Sequence, residues 1–402
     1  MLRVTRSEAV ARALAFNPSV RVAMEQTEQA RARVHEATAF PDPSFSVNVL
    51  GQNSLFGYNT STETDLLLGL TVPFPQKFSL RGRAAEGELG GFEAATVLQR
   101  QLIASQTSQA YDSLLVALRH RVDLEVARGL SQDFLKKTEA RFQGGTAARL
   151  DVVKAQVDVA QSENDLIANE RGIANARAAL NRLLGRTLGA PIEAADSLGI
   201  PTIPTDFDRL ERVAMERRPE LAGVRRQQAG ARAATQLAQQ YFLPDLQIGL
   251  QQNHVYGTPN TYETAIGVDV PLLFWQHQKG EVAEAKHREL ELSATERDLI
   301  AQVGQDLRNA YAAATISLRQ AVFLRDELLP SAEQQYRIAS ASYGLGGSSA
   351  LEVIDAHRTL LDARAQYVAA LGALNDAVAD LERAVGAPLD TVPSDSTGTS
   401  HD

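Results

Sequence analysis

The pair of side chains best placed for chemistry is Glu352 and Asp355, three residues apart and so one helical turn apart on one face. Two carboxylates held this way can bind a cation or repel one another, although an acidic pair is more commonly a solvated helix face. Other reactive constellations are incomplete. Glu284-x-x-His287 is half of a di-iron helix motif, which needs a second copy and further carboxylates, and reads as a surface coincidence. The seven histidines are scattered, with no His-x-x-x-His pair and no Gly-x-Ser-x-Gly elbow. Gly-Gly pairs at Gly90, Gly144 and Gly346 lack the lysine and hydroxyl of a phosphate loop. Cysteine is absent, which excludes disulfides, thiolate catalysis, cysteine zinc sites and lipidation at a cysteine. No catalytic residue, metal or cofactor is expected, and no enzyme.

Bulk properties narrow the field further. Of 402 residues, 44% are hydrophobic and 22% charged, enough for a sizeable core, yet only 6% are aromatic. Long stretches rich in Ala, Gln, Arg, Leu and Glu suit long helices packed through narrow seams. A net charge of −9 without any basic patch argues against nucleic acid as a partner. No apolar run reaches the ~18 residues of a membrane-spanning helix. Met1–Val10 lacks the apolar core of a secretory signal, so export would require a signal already removed or a start further upstream.

Positioning begins with an internal repeat of about 200 residues. Asn17-Pro18 returns as Arg218-Pro219, Pro43 as Pro244, and Leu70-Thr71-Val72-Pro73 as Val268-Asp269-Val270-Pro271. Ala110-Tyr111 returns as Ala310-Tyr311. The segment Phe142…Gly145…Leu150-Asp151-Val152-Val153 returns as Tyr343…Gly346…Leu351-Glu352-Val353-Ile354. Each copy reads as two helices, two strands, a very long helix, a Gly-rich turn and a return helix. Copy one covers 1–185, with strands over 43–53 and 62–73 and a helical hairpin over 82–184. Copy two covers 206–387, with strands over 244–254 and 261–271 and a hairpin over 280–385. The proline-bearing segment 186–205 is the linker, and 388–402 reads as a disordered tail.

All four strands alternate with a period of two. One face carries Phe45, Val47 and Val49, then Leu66, Leu68, Leu70 and Val72. The second copy gives Leu246, Ile248 and Leu250, then Ile266, Val268 and Val270. The other face is polar or small. Any half-buried strand would alternate so, but these are near the 9–11 residues that cross an outer membrane. Aromatics also cluster near the strand ends: Phe56, Tyr58, Tyr256 and Tyr262 at one, Phe74, Phe274 and Trp275 at the other. Such strands would face lipid. Four cannot close a barrel, and an open edge is not tolerated in hydrocarbon, so closure needs several chains. Two copies would give eight strands and three would give twelve.

The return helices carry strict heptads. Val152, Val159, Leu166, Ile173 and Leu180 recur in phase as Val353, Leu360, Tyr367, Leu374 and Leu381. Beside the second file runs Ala356, Ala363, Ala370, Ala377 and Ala384, small enough for close helix approach. The long helix, about 62 residues, would reach roughly 90 Å at 1.5 Å per residue. Return and pre-strand helices, roughly 54 and 35 Å, match it when stacked end to end. A hollow helical cylinder follows, although a soluble coiled-coil scaffold would share these heptads.

Taken in order, these elements resemble the TolC family of outer-membrane efflux proteins over essentially residues 1–388. The likeness rests on the duplicated Asn/Arg-Pro helix start, the Ala39-Phe40-Pro41-Asp42-Pro43 entry to the first strand, the Val-Pro strand exits and the two hairpin turns. It implies a mainly α fold with a membrane β-barrel portion. Three chains, each with two tandem repeats and four strands, would form a twelve-stranded barrel on an α-helical barrel. It implies a passive exit duct in the outer membrane of a Gram-negative cell, its tunnel in the periplasm, in a tripartite efflux or type I secretion system. Partners implied are a homotrimer, outer-membrane lipid, a periplasmic adaptor and, through it, an inner-membrane pump, RND type first. The tips Gly145-Thr146-Ala147 and Gly346-Gly347-Ser348 would dock the adaptor. Glu352 and Asp355 would form acidic rings at a closed periplasmic mouth. Asp151 and Tyr343 match members of the family's gate latch, whose arginine is replaced here by Ser348 and whose threonine by Leu150. The exit Val72-Pro73-Phe74-Pro75-Gln76-Lys77 with Arg81-Gly82-Arg83 resembles the heavy-metal cation branch, against drug or general efflux. A soluble coiled-coil scaffold and an all-helical metal enzyme are the competing classes.

Overall fold

The computed structural model describes residues 2–51, 63–271 and 274–391. The first half runs β1 (Leu2–Val4), α1 (Arg6–Phe16), α2 (Pro18–Ala37), β2 (Ser44–Leu50), β3 (Glu63–Val72), α3 (Pro75–Gln143) and α4 (Arg149–Leu183). The second runs β4 (Ile192–Ala194), α5 (Phe207–Arg217), α6 (Pro219–Gln239), β5 (Asp245–Val255), β6 (Thr261–Asp269) and α7 (Phe274–Phe323). A π-helical turn, Leu324–Leu328, leads into α8 (Leu329–Leu345), and α9 (Ala350–Val385) follows. The chain keeps its order past Pro388, with a 3-10 turn at Leu389–Thr391 that buries Leu389.

Several boundaries differ from those read in the sequence, each for a local reason. α3 begins at Pro75 rather than near Gly82 and is 69 residues long. Proline is well suited to a first helical position, where its fixed φ helps and its missing N–H costs nothing. The second long helix is interrupted: Leu329 N–H reaches back five residues to Leu324 O just before Pro330, which has no N–H for the usual bond. β6 ends at Asp269, because Pro271 cannot continue the ladder, so Val270 lies just beyond the strand. Within the linker, β4 pairs in parallel with β1, Leu2 opposite Ile192 and Val4 opposite Ala194. Three residues are too few to show a period.

The chain divides into two compact units, each drawing on both sequence repeats. One comprises Met1–Val22, Val97–Arg218 and the chain from Ile300 onward. Its core gathers Val4, Ala9, Ala13, Tyr111, Leu114, Leu180, Leu183 and Ile192 around the small β1–β4 sheet. Tyr111 Oη donates to Val4 O at 3.0 Å and accepts from the N–H groups of Ala195 and Asp196, both at 3.2 Å. Its repeat counterpart, Tyr311, donates to Thr205 O at 3.2 Å. The paired residues before proline also act alike. Asn17 Nδ2 donates to Leu183 O at 2.9 Å and Arg218 Nη1 to Arg383 O at 3.2 Å, each closing the end of a return helix. Every residue of the alanine file on α9 is buried, as are Val353, Leu360, Leu374 and Leu381.

The other unit, Ala23–Thr96 with Pro219–Leu299, holds a four-stranded antiparallel sheet in the order β2-β3-β5-β6. Helices α3 and α6 meet here backbone to backbone. A Cβ on Gly87 would lie 2.4 Å from Gly230 Cα, and one on Gly230 would lie 2.8 Å from Gly87 Cα and 2.9 Å from Ala84 O. Neither neighbour can swing aside. Replacing Gly230 by alanine would gain up to about 1 kcal/mol of helix propensity, but overpacking of this kind costs about 1–3 kcal/mol. Gly230→Val, bulkier and β-branched, should therefore lower the thermal midpoint clearly, which a melting curve followed by circular dichroism will read.

Candidate functional site

Register sorts the sheet into two chemically distinct faces. Phe45 stands opposite Leu68, which stands opposite Leu250; Val47 stands opposite Leu66. Further along, Leu70, Ile248 and Ile266 share one row, and Val72, Leu246 and Val268 the next. Directly opposed residues lie on the same side of a sheet, so the alternating apolar sets of four strands merge into one face. Phe45, Val47, Leu66, Leu68, Leu246, Ile248, Leu250, Ile266 and Val268 are all exposed, while Val49 and Leu70 are half-buried. The opposite face carries Ser46, Asn48, Asp65, Gln247, Gln251, Asn253 and Glu263. There Gln251 Nε2 donates to Asn253 Oδ1 at 2.6 Å and Asn253 Nδ2 to Glu263 Oε1 at 3.0 Å. Tyr256 and Tyr262 are exposed at one end of the strands and Phe74 and Trp275 beyond the other; Phe56 and Tyr58 lie outside the described residues. At the foot of the sheet Lys77 Nζ donates to Leu243 O at 2.5 Å and to Asp245 Oδ1 at 3.1 Å, anchoring β5 to the start of α3.

The two hairpin turns are built alike. Gly145 and Gly346 adopt φ of 70° and 83°, left-handed conformations that favour glycine. Thr146 N–H donates to Arg141 O at 2.8 Å and Gly347 N–H to Ser342 O at 2.9 Å, the six-residue closure of a Schellman motif. After each turn the return helix starts on an acidic third residue. Ser349 N–H donates to Glu352 Oε2 at 2.8 Å and Ser349 Oγ accepts from Glu352 N–H at 3.3 Å, a complete capping box. Ala148 N–H donates to Asp151 Oδ2 at 3.3 Å in the matching place. Glu352 and Asp355 are exposed on one face, as their spacing predicts, but Glu352 is engaged by its own helix start.

The structure does not join Asp151 to Tyr343. Tyr343 is buried, its hydroxyl has no partner, and its ring packs 5.2 Å from that of Phe134. Over the ring's other neighbourhood lies Arg141, its guanidinium carbon 4.4 Å from the centroid. Arg141 Nη1 donates to Tyr343 O, and Nη2 donates to Thr146 O at 3.1 Å. One arginine thus holds main-chain carbonyls from both hairpins. Sequence reading looked for the arginine at position 348 and missed this one. A cation in the last turn before Gly144-Gly145 was the available signal, since a helix C-terminus attracts positive charge.

The profile described as Outer membrane efflux protein matches residues 9–186 and again 210–387. The chain belongs to that family. Among relatives of this efflux protein is the cobalt-zinc-cadmium resistance protein CzcC of Cupriavidus metallidurans, 25% identical over 390 residues, covering 95% of this chain and 90% of CzcC. Among solved structures, CusC superposes with a TM-score of 0.82 at 20% identity, over 95% of this chain and 92% of that one. The outer membrane protein VceC of Vibrio cholerae gives 0.79 at 20%, over 95% and 96%. The efflux protein has the mainly α, TolC-like fold with a barrel-forming sheet, and it acts as an exit channel of the outer membrane. Its family and structural neighbours are channels rather than enzymes. Among the described residues no helix is long and apolar enough to cross a membrane, and no three His, Asp or Glu side chains converge on a metal-sized site.

The efflux protein also carries charge inside its helical unit. Arg6 Nη2 donates to Asp112 Oδ1 and, at 3.0 Å, to Asn375 Oδ1. Burial raises the Asp112 carboxyl above its usual range, with Arg6 opposing. Burial, followed by the nearby Asp112 and Asp380, pushes Asp376 up to about 6. A carboxyl that holds its proton more tightly when folded favours the folded state at low pH. Stability should therefore rise as pH falls through about 6 toward about 4, where the unfolded carboxyl also binds its proton. Asp376→Asn should flatten that slope in melting curves; an unchanged slope would remove Asp376 as its cause.

Proposed function

We propose that this efflux protein is one protomer of a homotrimer whose sheets close a twelve-stranded barrel above an α-helical tunnel in the periplasm. The observation that carries the oligomer is the sheet order β2-β3-β5-β6, which leaves β2 and β6 as edges beside an exposed apolar face. Unpaired backbone groups in hydrocarbon cost several kcal/mol each, so β6 of one copy pairs with β2 of the next. The number three comes from the TolC-family resemblance. In this reading Phe45, Val47, Val49, Leu66, Leu68, Leu70, Leu246, Ile248, Leu250, Ile266, Val268 and the flanking Val270 face lipid, and the polar face lines water. Residues 1–185 and 206–387 act as equivalent repeats around the ring, joined by 186–205.

The turns Gly145-Thr146-Ala147 and Gly346-Gly347-Ser348 present their tips to a periplasmic adaptor, and through it to an RND-type pump of the inner membrane. Glu352 and Asp355 then ring the mouth, with Asp151 and Tyr343 shaping the turns behind them. The chain performs no reaction and needs no cofactor; the pump supplies the energy. Likeness to CzcC over 95% of this chain favours divalent metal cations as cargo. Detergent-extracted protein should have three times the 43.5 kDa chain mass, and a monomer in that measurement would refute the trimer. A deletion strain should lose tolerance of zinc, cobalt or cadmium. Unchanged metal tolerance with new sensitivity to organic toxicants would reassign the cargo.

A further inference from the structure

Two apolar clusters near the hairpin tips are separated by a buried polar layer. Phe134, Tyr343, Val353 and Ile354 belong to one cluster, Ala332, Leu360 and Ala363 to the other, and Tyr336 packs against both. In between lie Ser131 on α3, Asp158 and Ser162 on α4, and His357 on α9, all buried. Ser131 Oγ donates to Asp158 Oδ2 at 2.7 Å, and His357 Nδ1 is 3.2 Å from the same oxygen. Ser162 Oγ donates to Asp158 O at 3.0 Å and lies 3.0 Å from Ser131 Oγ. His357 Nε2 is buried without a partner, and the imidazole ring sits 5.6 Å from that of Tyr336 on α8.

A layer that merely filled space would be apolar, since buried polar groups cost free energy unless fully satisfied. This one contains an ionised acid. Burial opposes ionisation of Asp158, but hydrogen bonds from His357 and Ser131, with the charges of His357 and Arg358, outweigh it and hold the carboxyl below its usual range. The flanking cavity, about 510 Å³, adds Asp123, Asp165 and Asp362 on the negative side and His120, Arg358 and Arg364 on the positive side. Asp158 and Ser162 line that cavity as well, and the groups turned to His357 are Ser131, Asp158 and the Tyr336 ring. Among the buried groups of the layer Asp158 is the acid and His357 the base that touches it, while the Arg358 charge also acts on the carboxylate.

We propose that this layer is a proton-sensitive tie between the first hairpin and the second. Protonation of His357 completes a buried ion pair with Asp158 and tightens the contact between α4 and α9; loss of the proton removes that charge from beside Asp158 and loosens it. The contact is strongest while the imidazole carries its proton and weakens once the proton is lost. Its effect on conduction rests on the duct proposed above: acidification should narrow the mouth.

Full-length protein in detergent micelles tests the tie directly, with His357→Gln as the key variant, because glutamine can still donate to Asp158 but cannot titrate. The wild type should melt about 2–4 °C higher near pH 6 than near pH 8 beyond any change seen in the variant. That comparison cancels Asp376, which both proteins keep. If His357→Gln does not fold, His357→Asn takes its place. In planar bilayers, wild-type conductance should fall on acidification and the variant's should not. Channels that form in both proteins with identical pH profiles would overturn the tie and leave the duct standing. Failure of the wild type to form channels would refute the duct, while the melting comparison would still decide the tie.

Discussion

Leu68→Arg should abolish assembly in the outer membrane, while Ser46→Arg should be tolerated. Leu68 sits mid-strand between Phe45 and Leu250 on the exposed apolar face. Arginine at the bilayer midplane on the lipid side of a barrel costs about 2–4 kcal/mol. In a trimer the cost is incurred once per chain, which approaches the whole stability of an ordinary domain. Ser46 is directly opposite Leu67 on the other face, diagonal to Asp65 on the same neighbouring strand, so an added cation meets water and a carboxylate. Membrane fractionation with an immunoblot for each variant checks both. Equal amounts of the two variants in the outer membrane would mean that the apolar face does not meet lipid.

Arg141→Ala should free the two hairpin tips from each other and raise channel conductance. The substitution removes two hydrogen bonds from a charged donor, each of the kind that contributes about 1.5–3 kcal/mol, and a cation–π contact of about 0.5–2 kcal/mol. It also leaves the Tyr343 carbonyl, on a buried residue, without its guanidinium partner. Arg141→Lys is the informative companion. Lysine keeps the charge but cannot span both carbonyls with a planar fork, so it should resemble alanine more than arginine. Single-channel recordings of the three proteins read the effect. A conductance unchanged in Arg141→Ala, with channels present, would show that the clasp does not hold the mouth.

Much of this architecture was legible because it is periodic. Alternation at Phe45–Val49 and Leu246–Leu250 fixed which side chains share a face, and pairing merely confirmed how the four sets align. Heptads and the Ala356–Ala384 file mark the buried seam of α9 in the sequence itself. Gly145 and Gly346 announced turns that only left-handed backbone can close. What stayed hidden has no period. The β1–β4 pairing is three residues long, the π turn depends on one proline, and close contact of Gly87 with Gly230 joins distant segments. Arg141 escaped notice because its partners are main-chain carbonyls, which a sequence does not display. The Ser131–Asp158–Ser162–His357 layer escaped because its members come from three separate helices, each contributing polar residues that read as surface when taken singly.

The central claim is that several copies of this chain close into a water-filled duct. Purified protein added to a planar lipid bilayer tests it most directly. The account predicts discrete, stepwise increases in ionic current, and none from Leu68→Arg protein under the same conditions. A preparation of folded wild-type protein that remains monomeric and leaves the bilayer electrically silent would contradict it.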